Sequence, residues 1–134
     1  MPHPQPVFEP TLGQLEPSRI RIKQLRLRTF VGFNEEEQEK RQDVVINIAV
    51  EYDALRAARS DRPEDALNYR TITKRVIDLV ENNRFLLLEK LVHDILALVL
   101  EHEAALRAEV EVDKPHALRF SDSVSLTMSA QRDC

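Results

Sequence analysis

The order of apolar patterns along the chain limits its fold more than any other feature. Four segments alternate apolar and polar residues with period two, which is typical of strands that bury one face. Between the second and third segments, apolar residues recur at helical spacing over 69–83 and 87–103, which predicts two amphipathic helices. The order ββααββ predicts an α+β fold, in which one antiparallel sheet carries two helices on one face. The four strand-like segments are residues 19–33, 43–52, 107–114 and 123–131.

The first of these segments, RIRIKQLRLRTFVGF, changes its phase part-way along. Ile20 and Ile22 are at even positions and alternate with cations at odd positions. After Gln24, the apolar Leu25 and Leu27 are at odd positions instead. Because a slip of one residue moves side chains to the other face of a sheet, this pattern predicts a bulge or a strand covered on both faces. The connection to the next strand, NEEEQEKRQ, is entirely polar, so the two strands are expected to form a long hairpin.

The two ends of the chain differ in composition. Five of the seven prolines fall within residues 1–17, which predicts a flexible arm there and a single domain over 18–134. The N-terminal stretch lacks the basic start and apolar run of a signal peptide, and no apolar stretch reaches membrane-spanning length. A cytoplasmic protein with no membrane partner is therefore expected.

Composition also excludes several kinds of partner. The net charge of −4 argues against nucleic acid, and glycine occurs only at Gly13 and Gly32, so no Gly-rich phosphate cradle can form. His93 and His102 are nine residues apart and the chain has one cysteine, so neither a metal centre nor a bound cofactor is expected. A four-stranded sheet leaves two open edges, which favours pairing between subunits into a homo-oligomeric ring.

Four ionisable residues stand where predicted elements begin or end, and loops at such places often present side chains to a ligand. They have ordinary explanations as well: a solvated glutamate-rich loop, a ring packed over a helix start, a carboxylate favoured by the helix dipole, and a charged strand end. Spacing alone leaves both interpretations open. The four residues are Glu37, Tyr69, Glu89 and Lys114.

Taken together, these segments resemble the dihydroneopterin aldolase family. The resemblance spans residues 18–132 and is carried by RLRTFVGFNEEEQEKRQ, LNYRTITK, NNRFLLLEKL and VDKPHALRFSDSVS, in family order. The phrases LRLRTF, ALNYRT, ENNRF, LLEKL and DKPHALR are similar to the epimerase branch, which inverts C2′ of a triphosphorylated dihydropterin side chain by reversible retro-aldol cleavage of C1′–C2′. Two alternatives stay open: an aldolase that releases glycolaldehyde from dihydroneopterin, and a non-catalytic pterin- or purine-binding oligomer.

The resemblance implies the tunnelling fold (T-fold) and an oligomeric barrel, built as a tetrameric ring or as two stacked rings, with active sites at subunit boundaries. It places catalysis on Lys114 and on Tyr69, which the neighbouring subunit would supply. Glu37 would contact the hydroxylated side chain of the substrate.

The resemblance also implies a pterin-binding set. Glu89 would anchor the amino-pyrimidinone edge through two hydrogen bonds, and the backbone of Leu88 would support the ring. Leu67 and Asn68 would flank the pterin from the tyrosine side.

A triphosphate needs positive partners, and without glycine loops these must be side chains. Cations adjoin Lys114, follow Tyr69 and occur on the first strand, although each is equally explained as a solvated surface residue. The candidates are Arg119, His116, Arg70, Lys74, Arg26 and Arg28.

Overall fold

A computed structural model describes residues 13–133, so residues 1–12 of the predicted arm lie outside the described range. The strands are β1 (Ser18–Val31), β2 (Gln42–Tyr52), β3 (Arg84–Phe85), β4 (Arg107–Lys114) and β5 (Val124–Gln131). The helices are α1 (Glu35–Glu39), α2 (Leu55–Ser60), α3 (Tyr69–Glu81) and α4 (Leu88–Leu100), and a 3₁₀ turn spans Pro63–Asp65. Within the described residues, no helix has the length and apolar composition needed to cross a membrane.

The five strands form one sheet in the order β3-β1-β2-β4-β5. The four long strands are antiparallel neighbours, as the sequence predicts, and the α+β class with the order ββααββ is confirmed. The short β3 was not predicted, and it pairs in parallel with the end of β1. Two residues are too few to show a period, so this strand exists only because the completed fold brings it to β1.

The core lies between the sheet and the two long helices. Along β2, Val44, Ile46, Ile48 and Val50 alternate with more exposed residues and are almost completely buried. The apolar face of α4 packs in the same cluster. The alternating apolar residues of the sheet and the apolar stripe of the helix therefore share a single interface.

The bulge predicted in the first strand is confirmed. The register of β1 against β2 shifts between Ile22 and Leu25, and Gln24 has φ +56°, in the left-handed region. The Asn47 side chain accepts a hydrogen bond of 2.9 Å from the Gln24 amide, replacing a ladder bond lost at the bulge. The slip returns Leu27 to the core side of the sheet, where it is buried.

A buried threonine fixes the last turn of α3 against β1. Thr29 has no exposed surface, and its hydroxyl donates to the carbonyl of Val80 at 2.6 Å and to that of Asn83 at 3.3 Å. Carbonyls at a helix C-terminus lack intrahelical donors, so this hydroxyl satisfies groups that burial would otherwise penalise. The contact also places the C-terminal end of α3 beside the end of β1.

We expect Thr29→Val to destabilise the fold by about 1–3 kcal/mol, because it keeps the side-chain shape but removes the donor from buried carbonyls. Urea unfolding measures this change as a lower midpoint at an unchanged slope. Thr29→Ser, which keeps the hydroxyl, is the control and should lose less. Equal losses in the two variants would show that packing, rather than the hydrogen bond, holds α3 in place.

Candidate active site

An ion pair joins the end of β4 to the connection between β1 and β2. The Lys114 ammonium donates to Glu37 Oε2 at 2.8 Å and to the carbonyl of Val31 at 3.2 Å. The Lys114 side chain is 13% exposed and that of Glu37 is 25% exposed, so the pair is shielded but reachable from one side. The structure thus brings together two of the four predicted ionisable residues, which are far apart in the sequence.

The local sequence fixes the Glu37 carboxylate. Asn34 caps α1 by accepting from the Glu37 amide at 2.8 Å, and Glu37 Oε1 accepts from the Asn34 amide at 3.4 Å, which completes a capping box. One carboxylate oxygen therefore caps the helix while the other binds Lys114. This is why the predicted polar loop contains a short helix: NEEE is a capping-box sequence.

Gln42 braces the same connection from the first residue of β2. Its side-chain carbonyl accepts from the Val31 amide at 3.0 Å, and its amide donates to the carbonyls of Glu37, at 3.2 Å, and Lys40. These bonds tie the ends of β1 and α1 to β2. The backbone that carries Glu37 is consequently held in place beside Lys114.

Gly32 is a site residue whose role sequence reasoning missed. Its φ is +139°, and a Cβ built there would lie 2.2 Å from both the carboxyl carbon and Oε1 of Glu37. Its amide also donates to the carbonyl of Phe85 at 2.9 Å, which fixes the backbone at this point. Only glycine gives the Glu37 carboxylate room to lie against the chain here. The signal was available in the sequence as a lone glycine two residues before the capping box.

The electrostatics of the pair favour ionised Glu37. The hydrogen bond from Lys114 holds the pKa of the Glu37 carboxyl below its ordinary value, and the positive charge of Lys114 and the amides of Asn34 and Phe33 act in the same direction. Partial burial opposes them by raising the pKa. The carboxylate is therefore charged, and able to accept hydrogen bonds, throughout the neutral range.

Glu89 lies at the same end of the molecule as this pair. Phe85 in β3 pairs with Val31, whose carbonyl binds Lys114, and α4 begins three residues after Phe85. Glu89 is exposed in the first turn of α4, while the adjacent Leu88 packs partly against the core. The backbone pairing thus places the start of α4, with Glu89, near the end of β1, where Lys114 and Glu37 meet. These three residues are called the Lys114 group.

Tyr69 lies at the other end of α3 from the turn that Thr29 binds. Thr29 binds Val80 in the last turn of α3. Thr29 itself lies two residues before Val31, whose carbonyl accepts from Lys114. Tyr69 begins α3 eleven residues before Val80, which is about 16 Å along the helix axis. The first turn of α3, with Tyr69, is thus separated from the part of the helix that packs beside the end of β1.

The residues predicted to act with Tyr69 share its location. Asn68 caps α3, accepting from the Thr71 amide at 3.2 Å, and Leu67 is buried with its carbonyl bonded to the Tyr69 amide at 3.1 Å. Tyr69 is 47% exposed. The predicted catalytic and pterin-binding residues therefore divide between the start of α3 and the surroundings of the end of β1.

A cleft of about 370 Å³ opens beside the Lys114–Glu37 pair. Two of the six predicted phosphate-binding residues, Arg28 and His116, line it. The other four do not. Arg26 is exposed on β1, Arg70 and Lys74 are exposed on the first turns of α3, and Arg119 lies 5.4 Å from the Phe120 ring. The complete lining is Arg28, Asn34, Glu36, Glu37, Lys40, Arg41, Gln42, Asp43, Lys114, His116 and Ala117.

The fold is shared with a solved structure, that of Escherichia coli dihydroneopterin aldolase in complex with neopterin. The two superpose with a TM-score of 0.81 at 28% identity, over 84% of this chain and 98% of that one. This chain is thus a T-fold protein. Residues 20–129 match the family model described as FolB: Dihydroneopterin aldolase. The chain belongs to the dihydroneopterin aldolase family.

Two curated relatives are more similar in sequence. The dihydroneopterin triphosphate 2′-epimerase of Escherichia coli K12 is 59% identical over 113 residues, which cover 84% of this chain and 94% of that protein. The protein of the same name from Pseudomonas aeruginosa is 56% identical over 123 residues, covering 90% of this chain and all of that protein. The identity to both is about twice that to the solved aldolase.

We expect Gly32→Ala to displace the Glu37 carboxylate, because the added methyl would overlap it and φ +139° is strained for alanine. Any reaction that uses the pair should slow at least tenfold. The displacement is measurable as a changed NMR titration of the Glu37 side chain. Gly13→Ala is the control, since nothing lies within 4 Å of its Cβ position. An unaltered Glu37 titration in Gly32→Ala would refute this account of the glycine.

We expect the pKa of Glu37 to rise in Lys114→Met, because burial is then opposed only by the backbone amides. A carboxylate with a lowered folded-state pKa stabilises the protein above the unfolded value of about 4.3, and that stability is lost as the pH falls through the folded pKa. Carbon-13 NMR of the Glu37 carboxyl measures the midpoint directly. Identical midpoints in the two proteins would contradict the assignment of Lys114 as the main cause.

Proposed function

We propose that this protein is a 2′-epimerase of dihydroneopterin triphosphate, which produces dihydromonapterin triphosphate. The observation that carries the proposed chemistry is the shielded Lys114–Glu37 pair, which puts an ammonium and a carboxylate side by side at one end of the cleft. The identity of 56–59% to two curated epimerases supports this branch over the aldolase branch.

The substrate itself supplies the electron sink. A 7,8-dihydropterin contains a ring imine next to C1′, so electrons released by breaking C1′–C2′ can flow into the ring. Removal of the 2′-hydroxyl proton then gives an enamine-like pterin and an aldehyde fragment. If the fragment turns its other face before the bond re-forms, C2′ is inverted. Lys114 therefore does not need to form a Schiff base.

The protein must move protons and hold the fragment. Lys114, as an ammonium, can donate a hydrogen bond or a proton to the reacting oxygen or ring, and Tyr69 can exchange the hydroxyl proton. Glu37 accepts from Lys114 and is available to a hydroxyl of the substrate side chain. Epimerisation and aldolase cleavage share the bond-breaking step and differ in how long the aldehyde stays bound.

The pterin would bind between the two groups of residues. Glu89, exposed in the first turn of α4, can accept two hydrogen bonds from the amino-pyrimidinone edge, beside the Leu88 backbone. Leu67 and Asn68 would border the ring from the other side, together with Tyr69. This arrangement requires both groups to face the same ligand.

A homo-oligomer satisfies that requirement. Tyr69 begins α3 about 16 Å along the helix axis from the turn that Thr29 holds beside the end of β1, so the tyrosine of a second copy would complete the Lys114 group of the first. The exposed edge of β5 offers a surface for pairing between copies. We propose a tetrameric ring, alone or stacked as an octamer, with each active site at a subunit boundary.

The test is product analysis with two substrates. We expect the protein to convert dihydroneopterin triphosphate into its 2′-epimer and to approach equilibrium between the two, with cleavage to 6-hydroxymethyl-7,8-dihydropterin as a minor product. Chiral chromatography resolves the epimers and the cleavage product. Predominant glycolaldehyde release from dihydroneopterin would establish the aldolase instead, and binding of both without any product would leave a pterin-binding protein.

Lys114→Met tests the pair in the same assay. Removing the ammonium should lower kcat by about 100-fold or more, the order attributed to a positioned acid–base group. Lys23→Met, which replaces an exposed lysine outside the cleft, is the matched control and should keep full activity. Full activity in Lys114→Met would remove this lysine from the mechanism.

A further inference from the structure

The cleft beside the Lys114–Glu37 pair holds cations that the proposed chemistry does not use. Arg28, Lys40 and Arg41 line it in addition to Lys114, and His116 adds an imidazole. The chain as a whole carries a net charge of −4, so this concentration of positive side chains runs against its average. It lies next to the position where the reacting carbons would be held.

Two of the lining carboxylates are already neutralised. Glu37 pairs with Lys114, and Asp43 Oδ1 lies 3.2 Å from Arg28 Nε on the neighbouring strand. These pairs account for two positive and two negative charges. The charges of Lys40 and Arg41 remain, opposed within the cleft by Glu36.

Arg41 is held in a fixed position without a carboxylate partner among residues 13–133. One guanidinium nitrogen donates to the carbonyls of Arg28, at 3.3 Å, and Glu81, at 3.1 Å. Its guanidinium carbon also lies 5.3 Å from the centre of the Phe30 ring. Carbonyls and a ring face orient a guanidinium but do not cancel its charge, so its remaining N–H groups are preorganised for an anion.

Lys40 and His116 approach the cleft from different connections. Lys40 follows α1, whereas His116 lies just after β4, and both side chains are exposed. Neither side chain has a hydrogen bond or ion pair within the described part of the chain. Together with Arg41 they provide donors on two sides of a cleft large enough for a small ligand.

We propose that Lys40, Arg41 and His116 form a subsite that binds the triphosphate of the substrate and sets the preference for phosphorylated over dephosphorylated dihydroneopterin. This inference rests on the proposed function for the identity of the substrate. Phosphate oxygens accept charge-assisted hydrogen bonds from ammonium and guanidinium groups, and no glycine-rich loop is needed for this. With the reacting carbons at Lys114, the phosphates would extend from the side chain into the cleft.

Glu36 allows a test in which phosphate binding should become stronger rather than weaker. Its carboxylate lines the cleft, and in the subsite it would repel the phosphates. Glu35 belongs to the same turn of α1 and is also exposed, but it does not line the cleft. Neutralising Glu36 should therefore strengthen phosphate binding, whereas neutralising Glu35 should have little effect.

The experiment measures two quantities in each variant: the KM for dihydroneopterin triphosphate and the Kd of inorganic triphosphate by calorimetry. We expect Lys40→Ala and His116→Ala each to raise both about five- to tenfold, and the double variant to raise them further. Lys23→Ala serves as the control for loss of an exposed lysine. Glu36→Gln should lower both quantities two- to fivefold, with Glu35→Gln as its control.

The calorimetry separates failure of the subsite from failure of the proposed function. If inorganic triphosphate binds with the expected dependence on Lys40 and Glu36 but no epimer forms, the subsite stands and the proposed reaction is wrong. If the epimer forms while Lys40→Ala, His116→Ala and Glu36→Gln leave both constants unchanged, the subsite is wrong and the reaction stands. Equal effects of Glu35→Gln and Glu36→Gln would also overturn it, because general surface charge would then explain the binding.

Discussion

The ion pair between Lys114 and Glu37 is the interaction on which the site depends. It joins the last residue of β4 to a five-residue helix, across the end of β1. Three features hold the Glu37 carboxylate against the Lys114 ammonium: the capping box of α1, the hydrogen bonds of Gln42, and the absence of a side chain at Gly32. A shielded pair of this kind holds both groups in one orientation before a substrate arrives, which is the condition for acid–base catalysis at a fixed geometry.

Local patterns predicted the larger elements because each has its own period. The alternation over 107–114 predicted both ends of β4 correctly. The phase change at Gln24 predicted the bulge that the register shift confirms. Elements without a period were missed or described only as loop. The strand Arg84–Phe85 depends on pairing with a distant part of the chain, and α1 depends on a capping box inside a run of glutamates that composition alone describes as solvated.

The site was less accessible to sequence reasoning than the fold. Glu37 and Lys114 were candidates because they stand at element ends, but only the family resemblance gave them roles, since no spacing rule relates positions so far apart. In the sequence, Gly32 served only to exclude a glycine-rich phosphate cradle and was given no place in the site. Lys40 and Arg41 were overlooked because their relevance appears only when the start of β2 and the end of β4 meet around one cleft.

In the proposed oligomer, each active site combines the Lys114 group of one copy with the Tyr69 of another. The test mixes two inactive variants, Lys114→Met and Tyr69→Phe, and exchanges their subunits by mild denaturation and refolding. We expect epimerase activity to return to about a quarter of wild type, because random pairing leaves one intact site in four. Mixtures that stay as inactive as either variant alone, although mass spectrometry shows mixed oligomers, would contradict it.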